Sequence, residues 1–215
     1  MNKLLWLLFC VGVISWQACS CPDSEQTGEI DLGQAAADFF SYDGSETLVF
    51  LNEVGEEMRF QAPEGQFIER SELCYRTTCT EAKFGSPSSC EFYASESERY
   101  TFFNDDNTVV LDLLLYSDVY DYGTAEFYDA MQGSFSFGQP SIVAQHILEP
   151  RFSGTFDLQS LELTDVFEER ASQTLVDKTF TDILAFEEGS LALYIEPGRG
   201  VIGFKNADHT WVIQD

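Results

Sequence analysis

Six residues, Gly198-Arg199-Gly200-Val201-Ile202-Gly203, spell a literal G-x-G-x-x-G, the first stretch of the chain whose spacing could do chemistry. In a dinucleotide-binding fold these glycines open a helix whose N-terminus faces a pyrophosphate, and an acidic residue follows about 20 positions later. Here Val201 to Phe204 and Thr210 to Ile213 read instead as the two arms of a hairpin, so the stretch is expected to be a glycine turn between strands. A kinase-type glycine loop fails on the same context, with no catalytic loop downstream. The chain has two histidines. His146 lies in no H-E-x-x-H or H-x-E setting, and no G-x-S-x-G nucleophile elbow occurs. Two dense oxygen clusters, Asn104-Asp105-Asp106-Asn107 and Asp118 to Gly123, lack the spacing and terminal glutamate of a calcium loop. The reading is therefore of a non-enzyme, with no catalytic residue, no metal ligand and no cofactor.

Cysteine is the residue type with the clearest chemistry. Lys3 followed by the apolar run Leu4 to Ile14 is a signal-peptide pattern, too short to span a bilayer. It leads into Trp16-Gln17-Ala18-Cys19-Ser20-Cys21. Ala18-Cys19 fits the end of a bacterial lipobox, although Trp16 is a poor match at its start, and this makes Cys19 the expected site of lipidation. Ordinary cleavage at an A-x-A-like site and acylation at Cys21 remain open alternatives. Residues 1–18 are then a lipoprotein signal peptide, 19–30 an acidic tether with nothing to bury, and 31–215 one β-rich domain. With Cys10 discarded and Cys19 acylated, Cys21, Cys74, Cys79 and Cys90 remain, in spacings unlike a zinc site. Export permits disulfides, and one bridge is expected among Cys74, Cys79 and Cys90, the pairing left open.

Charge narrows the partners. There are 37 acidic side chains against 11 basic ones, a formal charge of −26 that becomes one unit more negative when Lys3 leaves. Such a surface repels phosphate backbones, which excludes nucleic acid. The expected partners are a membrane, reached through the lipid anchor, and a protein or hydrophobic ligand. Nineteen phenylalanines could line a cavity for such a ligand or, at alternating strand positions, simply fill a core.

The elements that carry these residues are mostly strands. Phe50-Leu51-Asn52-Glu53-Val54-Gly55-Glu56, Phe102 to Thr108 and Phe204 to Thr210 share one template: Phe, any residue, Asn, two residues, then Gly, Asn or His, then Glu or Thr. Each reads as a hairpin in which Gly55, Asn107 and His209 take the left-handed backbone of a bulged turn. Leu32, Ala35, Ala36, Phe39 and Phe40 fall on one helical stripe, with Asp31 and Gln34 as a capping box, predicting one helix of three turns. Ile68 to Tyr93 shows the least regular pattern. Val109 to Tyr116 is apolar on both faces and predicts a central strand in which Asp112 is either at a rim or paired. Thr155 to Gln159 and Leu161 to Thr164 alternate about Ser160, suggesting a bulged strand. The fold expected is mainly β: an antiparallel sandwich or open half-barrel of roughly eight to ten strands with one short N-terminal helix.

The runs Leu32…Phe39-Phe40-Ser41-Tyr42 into Leu48 to Gly55, Thr179 to Phe186, Tyr194 to Phe204, and Trp211-Val212-Ile213 resemble the opening and close of uncharacterised Bacteroidetes outer-membrane lipoproteins. The resemblance implies a β-rich domain anchored by lipid to the cell outer membrane, on its periplasmic or its outer side. It brings no active site. The function it implies is binding or structural, with a carrier for a hydrophobic ligand as the alternative.

Overall fold

Residues 21–80, 88–161 and 163–214 are described by the computed structural model. They form one mainly antiparallel sheet, curled into an open half-barrel, with one short helix. In chain order the strands are β1 (Glu25–Ile30), β2 (Thr47–Asn52), β3 (Glu57–Gln61), β4 (Gln66–Cys79), β5 (Ser89–Asn104), β6 (Val109–Asp121), β7 (Glu126–Phe137), β8 (Ser141–Pro150), β9 (Glu168–Leu175), β10 (Lys178–Glu188), β11 (Leu191–Glu196), β12 (Gly200–Lys205) and β13 (Thr210–Ile213). The sheet runs β8-β7-β6-β5-β3-β2-β13-β12-β11-β10-β9. Strand β5 is long enough to serve two structures. Its second half pairs with β6 from Ser97 to Phe103 and with β3 at Phe103 and Asn104, and its first half forms a ribbon with β4, which reaches on to Tyr100, on one edge and β1, parallel, on the other.

Alternation explains the body of the half-barrel. Strand β6 buries every second residue from Val109 to Val119, while the opposite side is half-buried rather than covered. Asp112 on that side is paired, receiving Arg99 Nε at 2.8 Å and Nη2 at 2.7 Å, and Thr101 Oγ1 at 2.8 Å. The two halves of the curled sheet face each other. A Cβ at Gly133 on β7 would stand 3.0 Å from Phe167 and 3.2 Å from Ile195 and Leu193, so the two halves pack tightly across this glycine. Between the halves the space is filled by rings. Phe204 has Phe135 at 4.9 Å, Phe50 at 5.0 Å, Phe60 at 5.7 Å and Trp211 at 5.9 Å. Rings at these centroid spacings add about 1 kcal/mol per pair beyond their buried area. The open edges nearly meet: Gln145 N on β8 donates to Asp165 O at 2.9 Å, and Phe167 N donates back to Gln145 O at 3.0 Å, just before β9 begins.

Several expectations are corrected. The helix α1 is a single turn, Gln34–Ala37, with Gly33 as its N-cap and no side-chain cap. Asp31 does not cap it but pairs with Arg70, and Gly33 N is instead held by the buried Asp129 at 2.7 Å. Phe39, Phe40 and Tyr42 enter the core after the helix has ended. The acidic stretch is not a free tether. Its residues Glu25–Ile30 are β1, zipped along β5 from Glu91 to Ser95. The described residues of the irregular Cys-bearing segment are two paired strands with two register shifts, β4 and the start of β5, and show no alternation because nearly every β4 side chain is exposed. The described residues between Thr155 and Thr164 are not a strand but a loop with one turn of 3-10 helix at Leu158–Leu161. Tyr120 Oη holds that loop by accepting from Asp157 N at 3.1 Å.

All three template copies are hairpins, but the left-handed bulge residue is right in two and wrong in the third. All three asparagines are buried, and each side-chain oxygen accepts two backbone N–H groups of its own turn: Val54 and Glu56, Thr108 and Val109, Asp208 and His209. The Glu or Thr at the last template position is explained too. Asn52 Nδ2 donates to Glu56 Oε2 at 2.8 Å, and Asn104 Nδ2 donates to Thr108 Oγ1 at 3.2 Å. Gly55 and Asn107 are left-handed, at φ 83° and 55°, whereas His209 is not among the residues with positive φ. Strand pairing resumes one residue after His209, as Lys205 opposite Thr210, so the third turn has no bulge residue for it to be.

Candidate functional site

The glycine-rich stretch resolves into packing. Gly198 and Gly200 take positive φ, at 78° and 107°, in the turn between β11 and β12. A Cβ on Gly200 would fall 2.0 Å from Tyr42 Oη, which accepts a hydrogen bond from Val201 N at 2.7 Å. A Cβ on Gly203 would meet Trp211 O at 2.5 Å. Strand β12 follows, not a helix, so no backbone cradle for a phosphate is built here.

Among the described residues, two of the surface grooves are candidate sites. One, of about 510 Å³, lies beside Tyr42 and Arg199, with Glu46, Leu48, Val201 and Ile213 among its walls. The other, of about 440 Å³, opens at the seam where the sheet edges approach. It takes His146 from β8, Glu169 and Arg170 from β9, and Asp182, Ile183 and Leu184 from β10. The curl of the sheet brings these elements together, since β8 and β10 are far apart in sheet order. Asp182 has φ 53° in the middle of a strand, a left-handed residue of the kind that costs about 1 kcal/mol or more and gathers at functional sites.

The chemistry of the seam groove is that of an imidazole that burial biases towards its neutral form, with the carboxylate of Glu169 nearby. Burial holds His146 below the ordinary imidazole value, and the charge of Glu169 acts in the opposite direction. His146 Nε2 stands 3.8 Å from Glu169 Oε1, too far for a hydrogen bond. Arg170 is engaged by Glu168 and Glu187 at 2.7 Å each. Among the described residues, the walls of the groove present no hydroxyl or thiol. The arrangement could accept a proton or a hydrogen bond from a small polar ligand. Nothing in the sequence signalled it. Glu169 sits on a polar strand with no apolar alternation, and the left-handed turn at Asp182 leaves no local mark.

The other residues singled out by type are placed as follows. Among the described residues no group of three or more His, Cys, Asp or Glu side chains is gathered to hold a metal ion. Asn104 and Asn107 serve their turn, and Asp118 accepts from its neighbour Val119 N at 2.7 Å. His209 Nδ1 lies 3.0 Å from Glu53 Oε1, which joins the first template turn to the third. Cys74 is bonded to Cys90 and Cys79 to Cys21, so the expected bridge among the three is Cys74–Cys90 and Cys79 reaches back to the N-terminal stretch. Cys19 lies outside the described residues. The chain matches no family model, no curated protein and no solved structure.

Proposed function

We propose that this protein is a cell-envelope lipoprotein, anchored through Cys19 to the outer membrane, whose β-domain binds a partner or serves a structural role and is not catalytic. One observation carries the reading: the four cysteines beyond Cys19 are consumed in two pairs, Cys21–Cys79 and Cys74–Cys90. Acylation at Cys21 is incompatible with its bridge to Cys79, which favours Cys19, just past the apolar run, over Cys21 as the acceptor. Two disulfides also suit an exported protein, because the cytosol keeps thiols reduced. The resemblance of the chain ends to Bacteroidetes lipoproteins agrees with this reading. The carrier alternative takes second place because Phe50, Phe60, Phe135, Phe204 and Trp211 occupy the interior that a ligand would need.

Intact-mass spectrometry of the membrane-extracted protein tests the proposal. The expected species begins at Cys19, carries acyl chains, and is lighter by two hydrogens for each disulfide. An unmodified N-terminus would overturn it.

A further inference from the structure

We infer that the Cys21–Cys79 disulfide is a second covalent tie between the membrane anchor and the domain, which holds the tip of the β4–β5 ribbon at the bilayer surface. This inference rests on acylation at Cys19 and goes beyond it. One residue, Ser20, separates Cys19 from Cys21, so the acylated residue and the bridge lie within about 7 Å of chain length of each other. Without the bridge and β1, the twelve residues from Cys19 to Ile30 would reach about 40 Å. The bridge ends that freedom at its first step.

Three further contacts run in the same direction. Ser89 Oγ donates to Pro22 O, Cys90 N donates to Ser24 Oγ at 3.2 Å, and β1 then pairs in parallel along β5 from Glu91 to Ser95. The N-terminal stretch therefore starts at the ribbon tip, where Cys79 faces Ser89, and travels from there towards the half-barrel. Strand directions fix what lies at the opposite end. β5 runs away from the tip into the Asn104 turn, and the antiparallel order β5-β3-β2-β13-β12 places the Asn52 and Asn206 turns at that same far end. All three template turns then face away from the membrane, and the ribbon tip faces it.

The double tie has a consequence that a simple tether lacks. A cut anywhere between Cys21 and Cys79 leaves the domain covalently attached to its lipid. Release requires that the sulfur–sulfur bond also be broken, for example by a dithiol that leaves two cysteine thiols and is itself oxidised to a cyclic disulfide.

The test inserts a site-specific protease sequence after Asp23 in the full chain and fractionates membranes after complete cleavage. With all cysteines present, protease alone should leave the domain in the membrane pellet, and protease with dithiothreitol should move most of it to the supernatant. Cys74→Ser/Cys90→Ser should still need dithiothreitol, whereas Cys21→Ser/Cys79→Ser should be released by protease alone. Release of the cysteine-intact protein by protease without reductant would overturn the inference while leaving acylation in place. A protein found outside the membrane fraction before any protease is added would overturn the acylation reading, and the inference with it.

Discussion

The half-barrel body and the β4–β5 ribbon are made from the same sheet, even from the same strand, yet different forces hold them. In the body, β5 to β7 and β10 to β13 bury a continuous cluster of rings and aliphatic side chains. Beside the ribbon the apolar cluster shrinks to Tyr75 of β4 with Val119 of β6 and Phe127 of β7, and Tyr93, Leu73 and Ile30 lie against them. Most of β4 is exposed, so its two faces bring little apolar burial. Both disulfides lie in the ribbon. Where apolar burial is thin, crosslinks restrict the unfolded chain instead. The comparison teaches that one continuous strand can pass from a region held by its core to a region held by covalent bonds.

The sharpest way to break the body is at Phe204. It is fully buried and touches four other rings, so Phe204→Ala should cost about 4 kcal/mol, seen as a lower denaturant midpoint. The matching cut in the ribbon is Cys74→Ser/Cys90→Ser. It opens a loop of sequence separation 16 and should cost about 3 kcal/mol by the chain-entropy account. The distribution of the loss matters more than its size. Hydrogen exchange should accelerate in β1, β4 and the first half of β5 and stay slow in β11 and β12. Uniform acceleration would mean that body and ribbon unfold as one unit.

A third cut falls where the ends of β6 to β8 hold the chain leading into α1. Asp129 is fully buried and receives Ser117 Oγ at 2.6 Å, Gly33 N at 2.7 Å and Arg151 Nη1 at 2.7 Å. Asp129→Asn keeps the shape but removes the charge opposite Arg151. Breaking a fully buried pair costs more, but Arg151 can turn to water, so the expected loss is about 2 kcal/mol. Thermal unfolding of the purified variant would measure it. A smaller change should stabilise. Val176 is β-branched, has φ 56°, and is the first central residue of the two-residue turn between Leu175 and Lys178. A turn with positive φ at that position alone favours glycine, so Val176→Gly should raise stability by about 1 kcal/mol.

The same division decided what could be read from the chain. Body strands such as β3 and the end of β7 were legible because one face is buried and the other is wetter, which writes a period of two into the residues, and β6 was legible as an apolar run. Strands β4 and β9 were not, because residues exposed on both faces carry no such period. All three template hairpins were legible, because local hydrogen bonds to Asn52, Asn104 and Asn206 set their turns. Only the left-handed residue of the third was misread, because its loop is one residue shorter, which is decided by the register of β12 on β13. The pairing of Cys21 with Cys79 depends on β1 lying parallel to β5, a contact between distant parts of the chain. The seam groove depends on the curl of the whole sheet. Neither arrangement leaves a local mark.

The smallest expected effect is also the one that the two histidines can report directly. His209 is pushed above the ordinary imidazole value, first by its hydrogen bond to Glu53 and then by the charges of Glu53, Glu56 and Asp208. His146 is pushed below it by burial. The signs are opposite. His209 contributes stability that is fully present below about pH 6.5 and is lost as pH rises through its raised folded value. His146 contributes a cost that sets in as pH falls below about 6.5 and grows until its lowered folded value is passed. Proton NMR titration should therefore show two imidazole transitions on either side of the ordinary value, assigned with His146→Gln and His209→Gln. Glu53→Gln should bring the upper transition down and leave the lower one in place. If both moved together, the turn end and the seam would be coupled through the body, and the half-barrel would not be the rigid spacer that its packed rings imply.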